Sequence, residues 1–77
     1  MRELVEYLTR ALVEHPDEVQ VDEVASEDDV VLEIRVAEDD LGRVIGRSGR
    51  VANAIRTVAK AAGARDGRRV MVEILED

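Results

Sequence analysis

Two glycines three positions apart, Gly46 and Gly49, enclose Arg47 and Ser48 in the middle of a 77-residue chain, and Arg43 and Arg50 flank them. These residue types suit one chemistry above others. Glycines let the backbone turn tightly with no Cβ in the way, so a second backbone can approach within hydrogen-bonding distance. If a helix starts after Gly49, its first amides are unpaired donors at the positive end of a dipole, a setting that attracts phosphate. Arg43, Arg47 and Arg50, four and three residues apart, would surround that point with positive charge. A bare G-x-x-G pair arises by chance too readily to decide anything by itself, so its surroundings must carry the reading.

The formal net charge of −7 taken alone argues against a polyanionic partner. The average conceals a segregation. Residues 1–42 hold 3 basic and 14 acidic side chains, residues 43–69 hold 8 basic and 1 acidic, and residues 70–77 hold 3 acidic ones. A basic block of this kind is the electrostatic footprint expected of polyanion binding. The competing reading is a solvated helix face whose arginines pair with the acidic half of the chain.

Other chemistries fit poorly. In GRVIGRS three residues separate the glycines where a P-loop needs four, and Arg47 stands where that motif has its lysine. The single histidine, His15, sits beside Pro16 with no Cys or Ser constellation, so it reads as an ordinary surface residue. The acidic clusters at 27–29 and 38–40 lack the alternating spacing of a calcium loop and read as turn and cap. No catalytic residues, metal or cofactor are therefore expected. The absence of Cys excludes disulfides and Cys-based zinc sites and fits a reducing cytoplasm. The opening MRELVEYL is amphipathic, unlike a signal peptide, and the apolar runs are too short to span a bilayer.

The elements that must position the loop follow from periodicity. Leu4, Val5, Leu8, Ala11 and Leu12 recur at helical spacing, which predicts an amphipathic helix over 2–14, stopped by Pro16. EVQVDEV alternates at Val19 and Val21 and slips phase at Glu23, as a short edge strand would; SEDD at 26–29 is a turn. VVLEIRV then alternates cleanly, with Val30, Leu32, Ile34 and Val36 on one face. A short helix should begin near Asp39, capped by Glu38, Asp39 and Asp40, and end at Gly46. A second should begin near Gly49, with an apolar stripe of Val51, Ile55, Val58 and Ala62 widened by Ala54 and Ala59, and end at Gly63. After the Asp66-Gly67 turn, RRVMVEIL alternates Val70, Val72 and Ile74 against Met71, Glu73 and Leu75 as a last strand. The order is α-β-β-α-α-β in a single α+β domain spanning 1–77. An aliphatic core with one aromatic, Tyr7, suits a three-stranded sheet covered by three helices on one face.

The run DDLGRVIGRSGRVANAIRTVAKAAG, between two strands and with GRSG at the junction of two helices, resembles the KH domain. In that family a GxxG loop clamps the backbone of about four single-stranded nucleotides. The extra helix and strand lie before the shared core, which is similar to the type II, prokaryotic KH fold, and the whole chain resembles the free-standing single-KH bacterial proteins of the KhpA family. That resemblance implies a cytoplasmic, non-enzymatic protein that binds single-stranded RNA and forms a homodimer. It also implies work as a post-transcriptional regulator or RNA chaperone with a larger Jag-type KH partner, in a circuit touching cell shape.

Carried over by position, Gly46, Arg47, Ser48 and Gly49 would form the backbone clamp, and Leu41, Gly42, Val44 and Ile45 would lie on the helix that walls the base groove. Val44 and Ile45 are equally suited to the core. A glycine inside a short helix costs about 0.5–1 kcal/mol relative to Ala, and close approach of a base at Gly42 would account for that expense. Arg50 and Arg43 flank the clamp, while Arg56 and Lys60, on the exposed face of the second helix, suit either phosphate contact or solubility. With no aromatic near the loop to stack on bases, contacts should be aliphatic and hydrogen-bonded, and binding permissive. A different class of function, a KH-fold scaffold for protein–protein contacts alone, remains the alternative.

Overall fold

The structure is a computed structural model that describes residues 1–76. Helix α1 runs Arg2–Leu12 and buries Val5 and Thr9, whose hydroxyl is satisfied by the Val5 carbonyl at 2.7 Å. It ends two residues sooner than its apolar spacing suggests, because Val13 is already extended and Pro16 opens a 3-10 turn over Pro16–Glu18.

Three strands follow the expected pattern: β1 Gln20–Ala25, β2 Asp29–Arg35 and β3 Arg69–Ile74, in the spatial order β1-β2-β3. β1 is antiparallel to β2 through a tight turn closed by the Ser26 N–H donating to the Asp29 carbonyl at 2.8 Å; β3 is parallel to β2. A parallel pair needs a long crossover, and the two helices carrying the GRSG loop supply it. Val21, Val30, Leu32, Ile34, Val70 and Val72 form the inner face of the sheet, each buried. Burying a Val, Leu or Ile fully contributes about 1.5–3 kcal/mol, so these six dominate the core. The phase slip in β1 is real: Asp22 to Ala25 are all exposed.

After β2 the chain makes a 3-10 turn over Glu38–Asp40 and enters α2, Leu41–Ile45. Helix α3 spans Arg50–Arg65. Two sequence expectations for α3 need correction. Its buried residues are Ala52, Ile55, Ala59 and Gly63, whereas Val58 is 40% exposed and Ala54 is exposed. The core face is thus rotated toward the smallest side chains, because α3 packs closely on β3. Gly63, moreover, does not end the helix: a Cβ there would collide with Val70, so glycine serves contact between α3 and β3. The helix closes two residues later, where the Asp66 and Arg68 N–H groups both donate to the Gly63 carbonyl.

Candidate functional site

The GRSG segment is a single 3-10 turn, Arg47–Gly49, wedged between α2 and α3, and its backbone is unusual at three of four positions. Gly46 has φ 72° and ψ 175°, a region open essentially to glycine alone. Ser48 (φ 55°) and Gly49 (φ 76°) are left-handed. α2 closes with the Gly46 N–H on the Gly42 carbonyl at 2.9 Å, and the Gly49 N–H returns to the Gly46 carbonyl at 3.2 Å. The fold itself demands Gly46, since a Cβ would stand 2.5 Å from Val51 Cγ2 and 2.9 Å from its backbone nitrogen. Arg47 and Ser48 project into solvent at the tip, and no side chain caps the start of α3. The amides at the start of α3 are not all free as expected, since the Arg50 N–H donates to the Arg47 carbonyl and the Gly49 N–H is bonded within the turn, but Arg47 and Arg50 are both exposed and neither has an ion-pair partner among the described residues.

The neighbouring basic residues are not equivalent. Arg43 donates to the Glu14 carboxylate at 2.6 Å and lies 3.8 Å from Asp40, so it is engaged with the acidic half of the chain. Arg69 likewise pairs with Asp29 through two hydrogen bonds, which hold the Asp29 carboxyl below its ordinary range. Lys60 is exposed on α3 without a partner among the described residues. Arg56 is half-buried and donates to the Val72 carbonyl at 3.4 Å and to Asn53 Oδ1 at 3.2 Å.

Asp40 departs from its expected capping role. It is 1% exposed, and its two oxygens accept the backbone N–H groups of Glu14 (3.1 Å) and His15 (3.0 Å) instead of those of α2. Burial pushes its pKa up, but those two hydrogen bonds, with the charges of His15 and Arg43, outweigh it and hold the carboxyl below its ordinary 3.8. The side chain thereby bolts the α1 exit to the entry of the helix that feeds the loop.

On α2 the expected wall residues divide. Val44 has no exposed surface and belongs to the core, Ile45 and Leu41 are half-buried, and Gly42 is exposed. A Cβ on Gly42 would meet nothing within 4 Å, so nothing inside the domain requires glycine there. On the far side of the sheet, Asp22, Glu33 and Glu73 stand directly opposite one another across the three strands. Like charges so placed repel each other and any polyanion, which leaves the loop side as the favourable face for one.

Two features near the loop were not singled out in the sequence. Asn53 gave no signal beyond a polar position on the exposed face of a helix. The other is an apolar groove of about 370 Å³ between α1 and α3, lined by Leu8, Ala11, Leu12, Val51, Ala54 and Val58. Its trace in the sequence was an apolar stripe on each helix wider than a core this small can absorb.

A family model described as KhpA/KhpB, KH domain matches residues 2–74. The RNA-binding protein KhpA of Clostridium acetobutylicum is 52% identical over 75 residues, covering 97% of this chain and all of that protein. The RNA-binding protein KhpA of Aquifex aeolicus is 45% identical over 76 residues, covering 99% and 96%. Among solved structures, a variant of Aquifex aeolicus Era bound to GDP and aluminium fluoride superposes with a TM-score of 0.70 at 21% identity, over 95% of this chain and 28% of that one. That last likeness concerns the fold alone. With strands, helices and GRSG loop all inside the matched span, this chain belongs to the KhpA/KhpB KH-domain family.

Proposed function

We propose that the protein binds single-stranded RNA by clasping its phosphate backbone at Gly46, Arg47, Ser48 and Gly49, with Arg50 alongside. The observation that carries this reading is the loop's geometry: a tight, exposed turn of positive-φ residues that enters a helix start with no side-chain cap, at the positive end of the helix dipole and beside two unpaired arginines. Full-length relatives named as RNA-binding proteins support it. Leu41, Gly42 and Ile45 would wall the groove for the bases, and Lys60 would add charge along the strand. Val44, being buried, contributes through the position of α2, and Arg43 through its link to Glu14.

The test is Arg47→Asp with Ser48→Asp. Asp tolerates the left-handed conformation of position 48, both side chains are exposed, and stability should change by about 1 kcal/mol or less. Binding of a mixed-sequence single-stranded RNA should fall at least about tenfold, since each close like-charge contact costs on the order of 1–4 kcal/mol. A folded double variant that binds as the parent does would remove the clamp.

Within this reading the protein works as a homodimer in the cytoplasm, as a post-transcriptional regulator or RNA chaperone touching cell shape. A second copy of the chain is the occupant we assign to the α1–α3 groove. Leu12 and Val58 are each about two-fifths exposed there, and an 8.5 kDa domain with a small core gains from covering them. A Jag-type KH protein would use the same face in a heterodimer. That groove is the one observation favouring the second reading, a scaffold for protein contacts without RNA.

A further inference from the structure

The side chains of Asn53 and Arg56 form a relay from the loop to the open edge of the sheet. β3 has only β2 as a neighbour, so the backbone groups along its other side have no strand partner. Arg56 reaches that edge from α3, donating from Nε to the Val72 carbonyl at 3.4 Å and from Nη1 to Asn53 Oδ1 at 3.2 Å. A guanidinium has donors and no acceptor, so the Asn53 atom facing it must be the oxygen, and the amide cannot flip without losing that bond.

The consequence falls on the other end of the amide. Nδ2 faces the loop: it is the atom that a Cβ on Gly49 would meet, at 3.8 Å. Neither of its N–H groups has an acceptor among the described residues. The amide therefore turns a donor, its nitrogen, toward the clamp. Asparagine reads adenine by using oxygen and nitrogen together, and here the oxygen is turned to Arg56 while the nitrogen faces the loop.

We propose that Asn53, oriented by Arg56, selects bases that carry a keto oxygen instead of an amino group at the exocyclic position facing its nitrogen, favouring guanine and uracil over adenine and cytosine at the nucleotide beside Gly49. Guanine offers O6 and N7, and uracil the O4 that thymine also carries. Adenine and cytosine place an amino group there, which would set donor against donor. Arg56 is in this scheme a positioning residue, not a phosphate ligand. The inference rests on the reading that RNA is held at GRSG.

The experiment measures fluorescence anisotropy of short single-stranded GU-repeat and AC-repeat RNAs against the parent protein, Asn53→Ala and Arg56→Ala, over a range of salt. The parent should bind the GU repeat at least about fivefold more tightly, the lower end of what a good base contact discriminates. Asn53→Ala should bring the ratio to about one. Arg56→Ala, which frees the amide to rotate, should do the same while leaving the salt slope unchanged. Equal affinity of the parent for both repeats, or a preference that survives Asn53→Ala, overturns the proposal. An Arg56→Ala variant that keeps the preference but loses about 0.7 from the log–log salt slope makes Arg56 a phosphate ligand and overturns it too. A parent that binds neither repeat at low salt overturns the RNA reading itself, a result distinct from binding without preference.

Discussion

Gly46 and Val51 are in such close contact that a methyl group on Gly46 would stand 2.5 Å from Val51 Cγ2. The first glycine of the loop is thus required by packing and by its φ of 72° before any ligand is considered. Gly46→Ala should destabilise the domain by about 2 kcal/mol or more, combining overpacking with backbone strain. Chemical denaturation measures this without RNA. A variant as stable as the parent would mean that the turn relaxes freely, and the glycine would then be explained by RNA alone.

Gly42 is the opposite case. It sits in α2 with a clear space above its Cα, so Gly42→Ala should raise stability by about 0.5–1 kcal/mol through helix propensity. If a nucleotide uses that space, RNA affinity should fall in the same variant. Stability and binding moving in opposite directions is the signature to seek; unchanged binding would take Gly42 out of the groove.

Acid should loosen the joint between α1 and α2. The Asp40 carboxyl is held below its ordinary 3.8 in the fold, so its contribution is complete above that value and lost as pH falls through the folded pKa. Thermal unfolding followed across pH should show a midpoint that declines below about pH 4, with Asp29, also depressed by Arg69, adding to the decline. Asp40→Asn would turn an amide N–H toward a backbone N–H and should lower stability at neutral pH, with a shallower acid decline. An acid profile identical to the parent's would show that the Asp40 contacts contribute nothing to stability.

Val58 and Leu8 test the assembly. Both line the apolar groove, and Val58 is exposed enough to accept a charge without disturbing the core. Val58→Glu should convert a dimer to a monomer in sedimentation equilibrium at micromolar concentration, with the circular dichroism spectrum unchanged. A parent that is monomeric throughout, or a variant that still dimerises, removes the second copy from this groove.

Much of this molecule was determined by sequence alone, because its signals are local. Alternation at Val30, Leu32 and Ile34 and at Val70 and Val72, with a glycine-bounded turn between two helical stretches, specified the element order and the position of the loop. The segregated charge pointed to a polyanion face by counting. Tertiary structure decided what depends on contacts between residues far apart in the chain. Which apolar face of α3 is core turned on how closely Ala52, Ala59 and Gly63 let the helix approach β3, and that left Val58 outside. Asp40 looked like a helix cap three residues from Arg43, but its partners are the backbone of Glu14 and His15, 26 and 25 positions away. Asn53 acquired an orientation only when Arg56 reached across to Val72. Periodicity reports which residues share a face. It carries no information on which face another element will cover, because that is set by the sum of side-chain volumes on both sides of a contact that forms only in the folded chain.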